Sequence, residues 1–162
     1  MTSKEEYESY DNAVWEHTYF NKETGGYLVT ELSRITEGER NHQTMSDFAK
    51  EREAALKYAS WGFQIEHLAD RRNVGGNPDA RVWREGPSVR VNGLLADIKT
   101  VTTPKKFVKR VNEAFEQGSK MVLLHLTYER NDRKLKKQIE SLKENGRRGY
   151  YYFDGENRYY EF

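Results

Sequence analysis

The chain has 162 residues, of which 36% are hydrophobic and 33% are charged, so we expect one domain with a modest core and a highly charged surface. The net charge is only +1, which excludes a whole-molecule field that would attract a polyanion. The absence of cysteine excludes disulfides, thiol catalysis and a cysteine-ligated zinc site. No apolar run approaches the roughly 20 residues of a membrane span, and the charged N-terminus is not a signal peptide. We therefore expect a cytoplasmic chain, or a domain delivered into a target cell's cytoplasm, with no membrane partner.

The first half of the chain predicts a hairpin, a helix and a strand, in that order. The strand-like runs VWEHTYF and GYLVTEL flank the turn-rich segment NKETGG, and the polar segment ERNHQT predicts a loop. Ser46 is predicted to cap a helix that starts at Asp47 and ends at Gly62. The run FQIEHL then predicts a strand. We divide the chain here into an accessory segment, residues 1–45, and a domain, residues 46–162, which we expect to form one compact unit.

The second half predicts a pair of strands, a helix, a buried strand, a helix and a closing hairpin. The strands ARVW and VRVNGLLADIKTV are joined by REGPS, and the turn between them should be extended because 18 positions separate Asp79 from Asp97. Thr103 and Pro104 predict a helix start, and MVLLHLTY is typical of a strand covered on both faces. A third helix follows, and an Asp-Gly turn closes the C-terminal hairpin. The fold class is thus α/β (α+β), with a mixed central sheet flanked by helices and hairpins at both ends.

Three residues on the central strands have the chemistry of a hard-cation site. Asp79 precedes one strand, and Asp97 and Lys99 lie two positions apart on the next, so both of the latter should project from the same face while Ile98 points to the core. If the two strands pair, the two carboxylates converge and supply the oxygen ligands that Mg²⁺ prefers. A bound cation activates water and polarises a phosphoryl oxygen, and an adjacent ammonium group neutralises developing charge.

The residues PDA at 78–80, ADIKT at 96–100 and the helix EREAALKYASWGF at 51–63 resemble the PD-(D/E)XK nuclease superfamily. The resemblance implies a metal-dependent nuclease with a divalent cofactor, Mg²⁺ first and Mn²⁺ or Zn²⁺ as alternatives. It implies that Glu51 is a third metal-ligating acid, with Glu53 as the fallback, and that Gln117 orients the substrate or the catalytic lysine.

Within that superfamily, the chain most resembles the C-terminal tRNA nuclease toxins of contact-dependent inhibition (CdiA-type) proteins, which also share a segment like GGYLV at 25–29. This implies structured RNA, tRNA above all, as the substrate, and it leaves room for a cognate inhibitor protein as a second partner. Lys105, Lys106 and Lys109 directly follow the lysine strand, where a phosphate backbone could pass.

Two other functions stay open from the residues alone. A DNA endonuclease of the resolvase or restriction type would use the same acids, because the active-site acids do not contact the sugar. A non-catalytic nucleic-acid-binding or interaction module could contain the same residues and have no metal-dependent activity.

Each selected residue also has a plainer interpretation. Asp97 and Lys99 would then be a surface ion pair, Asp79 a turn residue and Glu51 a solvated helix residue. The lysines would form a solvated helix face, and Gln117 would be an exposed helix end. The tyrosines at 150–152 and 159–160 are more typical of core and amphipathic surface than of base stacking, and His125 is more typical of a packed, hydrogen-bonded residue.

Overall fold

The computed structural model describes residues 1–70 and 78–162. Its helices are α1 Ser3–Glu8, α2 Leu32–Gly38, α3 His42–Ser60, α4 Phe107–Glu116 and α5 Asp132–Glu144, with a short 3-10 helix at Pro104–Lys106. Its strands are β1 Trp15–Phe20, β2 Tyr27–Glu31, β3 Gln64–His67, β4 Ala80–Glu85, β5 Val89–Val101, β6 Met121–Leu126, β7 Gly149–Phe153 and β8 Tyr160–Glu161.

The strands in the described part of the chain form one mixed sheet in which each strand pairs with the next in chain order. Pairing is antiparallel between β1 and β2, along β3–β4–β5, and between β7 and β8. It is parallel between β2 and β3, β5 and β6, and β6 and β7, and each of these connections contains a helix. Parallel neighbours need such a crossover, whereas antiparallel neighbours need only a turn. The predicted mixed central sheet is confirmed.

Helices cover both faces of the sheet. On one face, α3 packs through Ala55, Tyr58 and Ala59 onto a cluster that includes Ile98. On the other face, α4 and α5 pack onto β6 and β7 through a second cluster, which contains Val101. Because Ile98 and Val101 belong to opposite clusters, β5 is covered on both sides over the part that carries the predicted site.

The start of α3 differs from the prediction. The helix begins at His42 rather than Asp47, and its cap is Asn41 rather than Ser46. The Asn41 side chain accepts a hydrogen bond from the Thr44 backbone at 3.0 Å, and the Thr44 hydroxyl accepts one from the Asn41 backbone at 3.1 Å. This reciprocal pair satisfies two backbone donors at once, which explains why Asn41 outcompetes Ser46. The predicted loop ERNHQT is therefore helical from residue 42, and the predicted boundary between residues 45 and 46 lies inside α3.

The other helix ends mostly match the sequence. Gly62 and Gly118 have φ of +106° and +103° directly after α3 and α4, as a helix-terminating glycine requires. Thr103 precedes the 3-10 helix, but its side chain makes no capping bond and its hydroxyl is buried without a partner among the described residues. The predicted helix start is confirmed, with Thr103 at the cap position and Pro104 as the first residue of the 3-10 helix that leads into α4, but the Thr103 side chain makes no capping bond.

The predicted hairpin near the site and the predicted C-terminal hairpin both form, but their connections differ in length from the prediction. The span between Asp79 and Asp97 is long because β4 and β5 are long, and the turn between them is only residues 86–88. The expected extended turn is therefore wrong. At the C-terminus, β7 pairs with β8 through Tyr150 opposite Glu161, and the connection covers residues 154–159. It begins with the predicted Asp-Gly turn, in which the Glu156 backbone N–H donates to Phe153 O at 3.0 Å and Gly155 has a φ of +85°. The helices α1 and α2 were not predicted, because both are short and neither has a buried apolar stripe.

Among the described residues, no helix combines the length and the hydropathy that crossing a bilayer requires.

Candidate functional site

Asp79 and Asp97 come from neighbouring strands and meet beside the β4–β5 ladder. Ala80 is opposite Ala96, which puts Asp79 next to Asp97 in the antiparallel register. The Ile98 backbone N–H donates to Asp79 Oδ2 at 3.0 Å, which fixes the carboxylate against β5. The predicted pairing of these strands is confirmed, and Asp79 does more than shape a turn.

Asp97 and Lys99 share a face of β5, as strand alternation predicts. The Asp97 side chain is 1% exposed, the Lys99 side chain is 32% exposed, and Lys99 Nζ lies 3.8 Å from Asp97 Oδ2. Ile98 points the other way, into the cluster under α3. The interpretation of Asp97 and Lys99 as a surface ion pair is wrong, because the carboxylate is removed from solvent.

One oxygen of Asp97 lacks a hydrogen bond. Oδ2 is buried and has no hydrogen-bond partner among the described residues, since the Lys99 ammonium group at 3.8 Å is beyond hydrogen-bonding distance. A buried carboxylate oxygen without a donor is costly unless a cation completes its surroundings.

The surroundings of Asp79 strongly disfavour its charged form. Burial raises the pKa of the Asp79 carboxyl well above its usual value, and the nearby carboxylates of Glu51 and Asp97 raise it further, while Lys99 opposes them. Three acids and one lysine therefore act electrostatically on one another. Such a surplus of negative charge in a buried place is a recognised mark of a functional site.

Glu51 reaches this group from α3, through a side chain that is 16% exposed. Its Oε1 contacts His67 Nε2 at 2.8 Å and Arg34 Nη2 at 3.1 Å, and neither contact uses Oε2. Burial lowers the pKa of His67, and its Nε2 donates to the Glu51 carboxylate. Burial alone would raise the pKa of Glu51, but the hydrogen bond from His67 and the charge of Arg34 outweigh it and lower the pKa. Glu51 is thus an ionised, held carboxylate and not a solvated helix residue.

A pocket of about 200 Å³ opens beside these acids, between α2, α3 and the start of β4. Among the described residues, Glu51 and Asp79 line it together with the guanidinium groups of Arg34 and Arg40. Asp97 and Lys99 do not line it. Glu37, Asp47 and Asp70 line the pocket as well, so within the described ranges five acids face two arginines there. Asp79 joins this pocket to β5 through its bond from the Ile98 backbone.

Asp79 and Asp97 form a pair that fits a hard divalent cation, but one oxygen each from Glu51, Asp79 and Asp97 do not all lie within 4.8 Å of one another. Asp79 and Asp97 offer carboxylate oxygens on adjacent strands, and Glu51 Oε2 has no hydrogen bond to another described residue. The buried Oδ2 of Asp97 is the ligand atom that most requires a cation. Mg²⁺ and Mn²⁺ prefer oxygen ligands and keep some of their bound water molecules.

The remaining predicted residues lie at opposite ends of α4. Lys105, Lys106 and Lys109 are exposed at its start, directly beyond the end of β5, and Lys109 lies 3.9 Å from Glu113. Gln117 is exposed at its C-cap, with no side-chain hydrogen bond in the described part of the chain. The structure therefore joins Asp79, Asp97, Lys99 and Glu51 but leaves the Gln117 side chain without a contact to them.

A second polar group was missed by the sequence. Glu53, His125 and Asp154 each place a ligand-type atom within 4.8 Å of the others. His125 is packed and hydrogen-bonded, as predicted, and its partner is Asp154 at 2.8 Å. The three residues are far apart in sequence and have no metal-ligand spacing, so only the sheet order brings them together.

The tyrosine cluster is part of the core. The side chains at 150–152 are buried, and Tyr159 and Tyr160 pack against the two hydrophobic clusters. The tyrosines at 150–152 therefore form no base-stacking surface.

The chain was compared with protein-family models, curated proteins and solved structures, and none of the three comparisons found a match. The resemblance to PD-(D/E)XK nucleases consequently stays a prediction carried by the residues of the site.

Proposed function

We propose that this chain is a metal-dependent nuclease of the PD-(D/E)XK type, which hydrolyses phosphodiester bonds in structured RNA, tRNA above all. The observation that supports the proposal best is the buried carboxylate of Asp97 beside Asp79, where Asp97 Oδ2 accepts no hydrogen bond among the described residues and lies 3.8 Å from the Lys99 ammonium group. The order of elements along the chain agrees with the proposal, since the acidic helix α3 precedes the strands of the site and α4 follows the lysine strand.

Asp79 and Asp97 are the residues that would hold the cation, with Glu51 as the third acid. When bound, a divalent cation supplies an activated water and polarises the phosphoryl oxygen. The protein's contribution is to fix these carboxylates. The Ile98 backbone fixes Asp79, while His67 and Arg34 hold Glu51 through one oxygen, and the other oxygen accepts no hydrogen bond from the described residues.

Lys99 has the position and exposure of a group that serves the attacking water and the phosphate. Its side chain extends from the buried face of β5 to 32% exposure, so the ammonium group sits between the carboxylates and solvent. A compact positive charge there holds a water nucleophile and neutralises charge that develops on the phosphate.

The proposed substrate contacts lie on two sides of this centre. Lys105, Lys106 and Lys109 offer exposed positive charge at the end of β5, and Arg34 and Arg40 line the pocket beside Asp79. Phosphate groups of a backbone that crosses the site would meet both groups. The choice of tRNA follows from the resemblance to contact-dependent inhibition toxins.

Incubation of the purified chain with total tRNA or with plasmid DNA, in Mg²⁺, Mn²⁺ or EDTA, tests the proposal. We expect cleavage of tRNA with metal and none in EDTA. Asp97→Asn should reduce the rate about 1,000-fold or more, and Lys99→Met about 100-fold, because both remove charges needed in the transition state.

Asp132→Asn is the matched control, since Asp132 is an exposed acid outside the site and should keep the full rate. Circular dichroism verifies that each variant is folded. Wild-type cleavage by Asp97→Asn would contradict the assignment of the site. Cleavage of plasmid but not of tRNA would contradict the RNA assignment and favour the DNA endonuclease.

A further inference from the structure

A second polar cluster lies on the α3 side of the sheet, formed by Glu53 of α3, His125 of β6 and Asp154 directly after β7. One imidazole nitrogen and one oxygen from each carboxylate lie within 4.8 Å of one another. None of these residues belongs to the Asp79–Asp97 site. A pocket of about 190 Å³ adjoins the cluster and is lined by Glu53, Tyr152 and Asp154, so a small ligand can enter from solvent.

The histidine is held rigidly and aimed into the cluster. Its side chain is 4% exposed, and its ring stacks face to face on Tyr152 with centroids 4.5 Å apart and planes 7° apart. This stacking follows from the parallel register of β6 and β7, which sets His125 opposite Tyr152. Nε2 points to Asp154 Oδ1 at 2.8 Å. An imidazole fixed in this way holds its Nε2 in one orientation, as a metal ligand requires.

The cluster has more negative charge than its neighbours neutralise. Glu53 forms no ion pair within the described ranges, and Asp154 is paired only with His125. The nearby Lys57 ammonium group instead contacts Asn157 at 3.2 Å and lies over the Trp61 ring. Two carboxylates thus converge on one imidazole, and Lys57, which lines the same pocket, contacts other groups.

We propose that Glu53, His125 and Asp154 bind a divalent transition-metal ion of the Zn²⁺ class. One imidazole nitrogen and two carboxylate oxygens form a donor set typical of Zn²⁺, with water in the open position, whereas Mg²⁺ favours oxygen alone. Tetrahedral zinc separates its ligand atoms by about 3.3 Å. The contact of 2.8 Å therefore has to open slightly, which Asp154 permits because its side chain is 65% exposed.

The second ring nitrogen limits the affinity. Nδ1 of His125 is buried and has no hydrogen-bond partner among the described residues. Metal binding at Nε2 moves the imidazole proton to Nδ1, where no acceptor stabilises it. The site should therefore bind Zn²⁺ more weakly than sites in which a carboxylate or carbonyl receives that proton.

A bound ion would connect three elements that the sheet alone joins indirectly. Glu53 belongs to the helix layer, His125 to a central strand, and Asp154 to the connection between β7 and β8. Zinc should consequently stabilise the folded chain, because the unfolded chain does not gather these ligands.

Isothermal titration with ZnCl₂ tests the proposal in the Asp97→Asn variant, which removes the other predicted metal site. We expect one Zn²⁺ per chain, a rise in Tm with zinc, and a shift of the His125 ring nitrogens in ¹⁵N NMR spectra. Adding Asp154→Asn or Glu53→Gln should weaken binding about tenfold or more and remove the zinc-dependent rise in Tm.

Glu156→Gln is the matched control, since Glu156 adjoins the same pocket but is bound by Arg130 at 3.1 Å. It should leave zinc affinity unchanged. Equal affinity in the Glu53, Asp154 and control variants, or unshifted His125 nitrogens at saturation, would overturn the proposal. Neither result depends on cleavage activity, so the nuclease assignment and this site can fail separately.

Discussion

Arg84 and Asp97 are both charged side chains removed from solvent, but their surroundings differ in the number of hydrogen bonds. Arg84 is 8% exposed, and its guanidinium group donates to three carbonyl oxygens and one hydroxyl, those of Gly62, Gly86, Thr24 and Ser3. Asp97 is 1% exposed, and its Oδ2 has no hydrogen-bond partner in the described part of the chain. One buried charge is saturated, and the other is left incomplete.

We use this difference to distinguish a buried charge that stabilises the fold from one that a ligand would complete. A saturated buried guanidinium holds loops together, because it neutralises carbonyl groups that would otherwise lose water without replacement. An incomplete buried carboxylate weakens the free protein unless a ligand completes it. Stability that is given up at a site in this way commonly accompanies function.

The largest expected effect on stability comes from Arg84→Met, which keeps much of the side-chain volume but removes every donor. We expect the free energy of unfolding to fall by about 3 kcal/mol, because the carbonyls of Gly62, Gly86 and Thr24 lose a charged donor together. Urea denaturation measures the change. The cleavage rate per folded molecule should stay close to wild type. A loss below about 1 kcal/mol would mean that water replaces the guanidinium and that saturation is not what distinguishes Arg84.

A smaller effect of opposite sign is expected from Asp79→Asn in EDTA at neutral pH. The amide oxygen can still accept from the Ile98 backbone, but the carboxylate that Glu51 and Asp97 repel is gone. The free energy of unfolding should rise by about 1–2 kcal/mol while metal-dependent cleavage is lost. Thermal unfolding beside the Asp132→Asn control measures the gain. A clear loss of stability would show that the acids at this site are structural, as Arg84 is.

The core of the site could be predicted because its geometry is local. Alternation on one strand is sufficient to put Asp97 and Lys99 on one face with Ile98 on the other, and a turn between consecutive strands is sufficient to bring Asp79 beside them. Glu51 followed only from the resemblance. Its contacts with His67 and Arg34 depend on how α3 and α2 pack, which the residue pattern does not specify.

The errors have one local source and one long-range source. Ser46 and Asn41 are both good helix caps, and the reciprocal bonds with Thr44 select Asn41. Glu53 was the sequence's alternative to Glu51 as the helix acid, yet it groups with His125 and Asp154. That grouping requires β6 and β7 to be parallel neighbours under α3, a long-range pairing that no local pattern encodes.

The smallest expected effects on stability concern two neutral side chains, Tyr58 and Tyr128. They differ in hydrogen bonding in the same way as Arg84 and Asp97. The Tyr58 hydroxyl donates to Leu124 O at 2.7 Å, whereas the buried Tyr128 hydroxyl has no partner among the described residues. At pH 7 we expect Tyr58→Phe to lose about 1 kcal/mol and Tyr128→Phe to lose almost nothing. Burial raises the pKa of Tyr58 well above its usual value, and it raises that of Tyr128 to about 12.

The unfolded chain releases both phenolic protons near pH 10, which the folded chain still retains, so stability is present below pH 10 and falls as pH rises above it. Each substitution removes one such group, so the deficit of Tyr58→Phe should shrink above pH 10 and Tyr128→Phe should become more stable than wild type there. Urea denaturation at pH 7 and pH 10.5 measures both. Equal losses from the two variants at pH 7 would contradict the rule drawn from Arg84 and Asp97, because hydrogen bonding would then not decide what a buried polar group contributes.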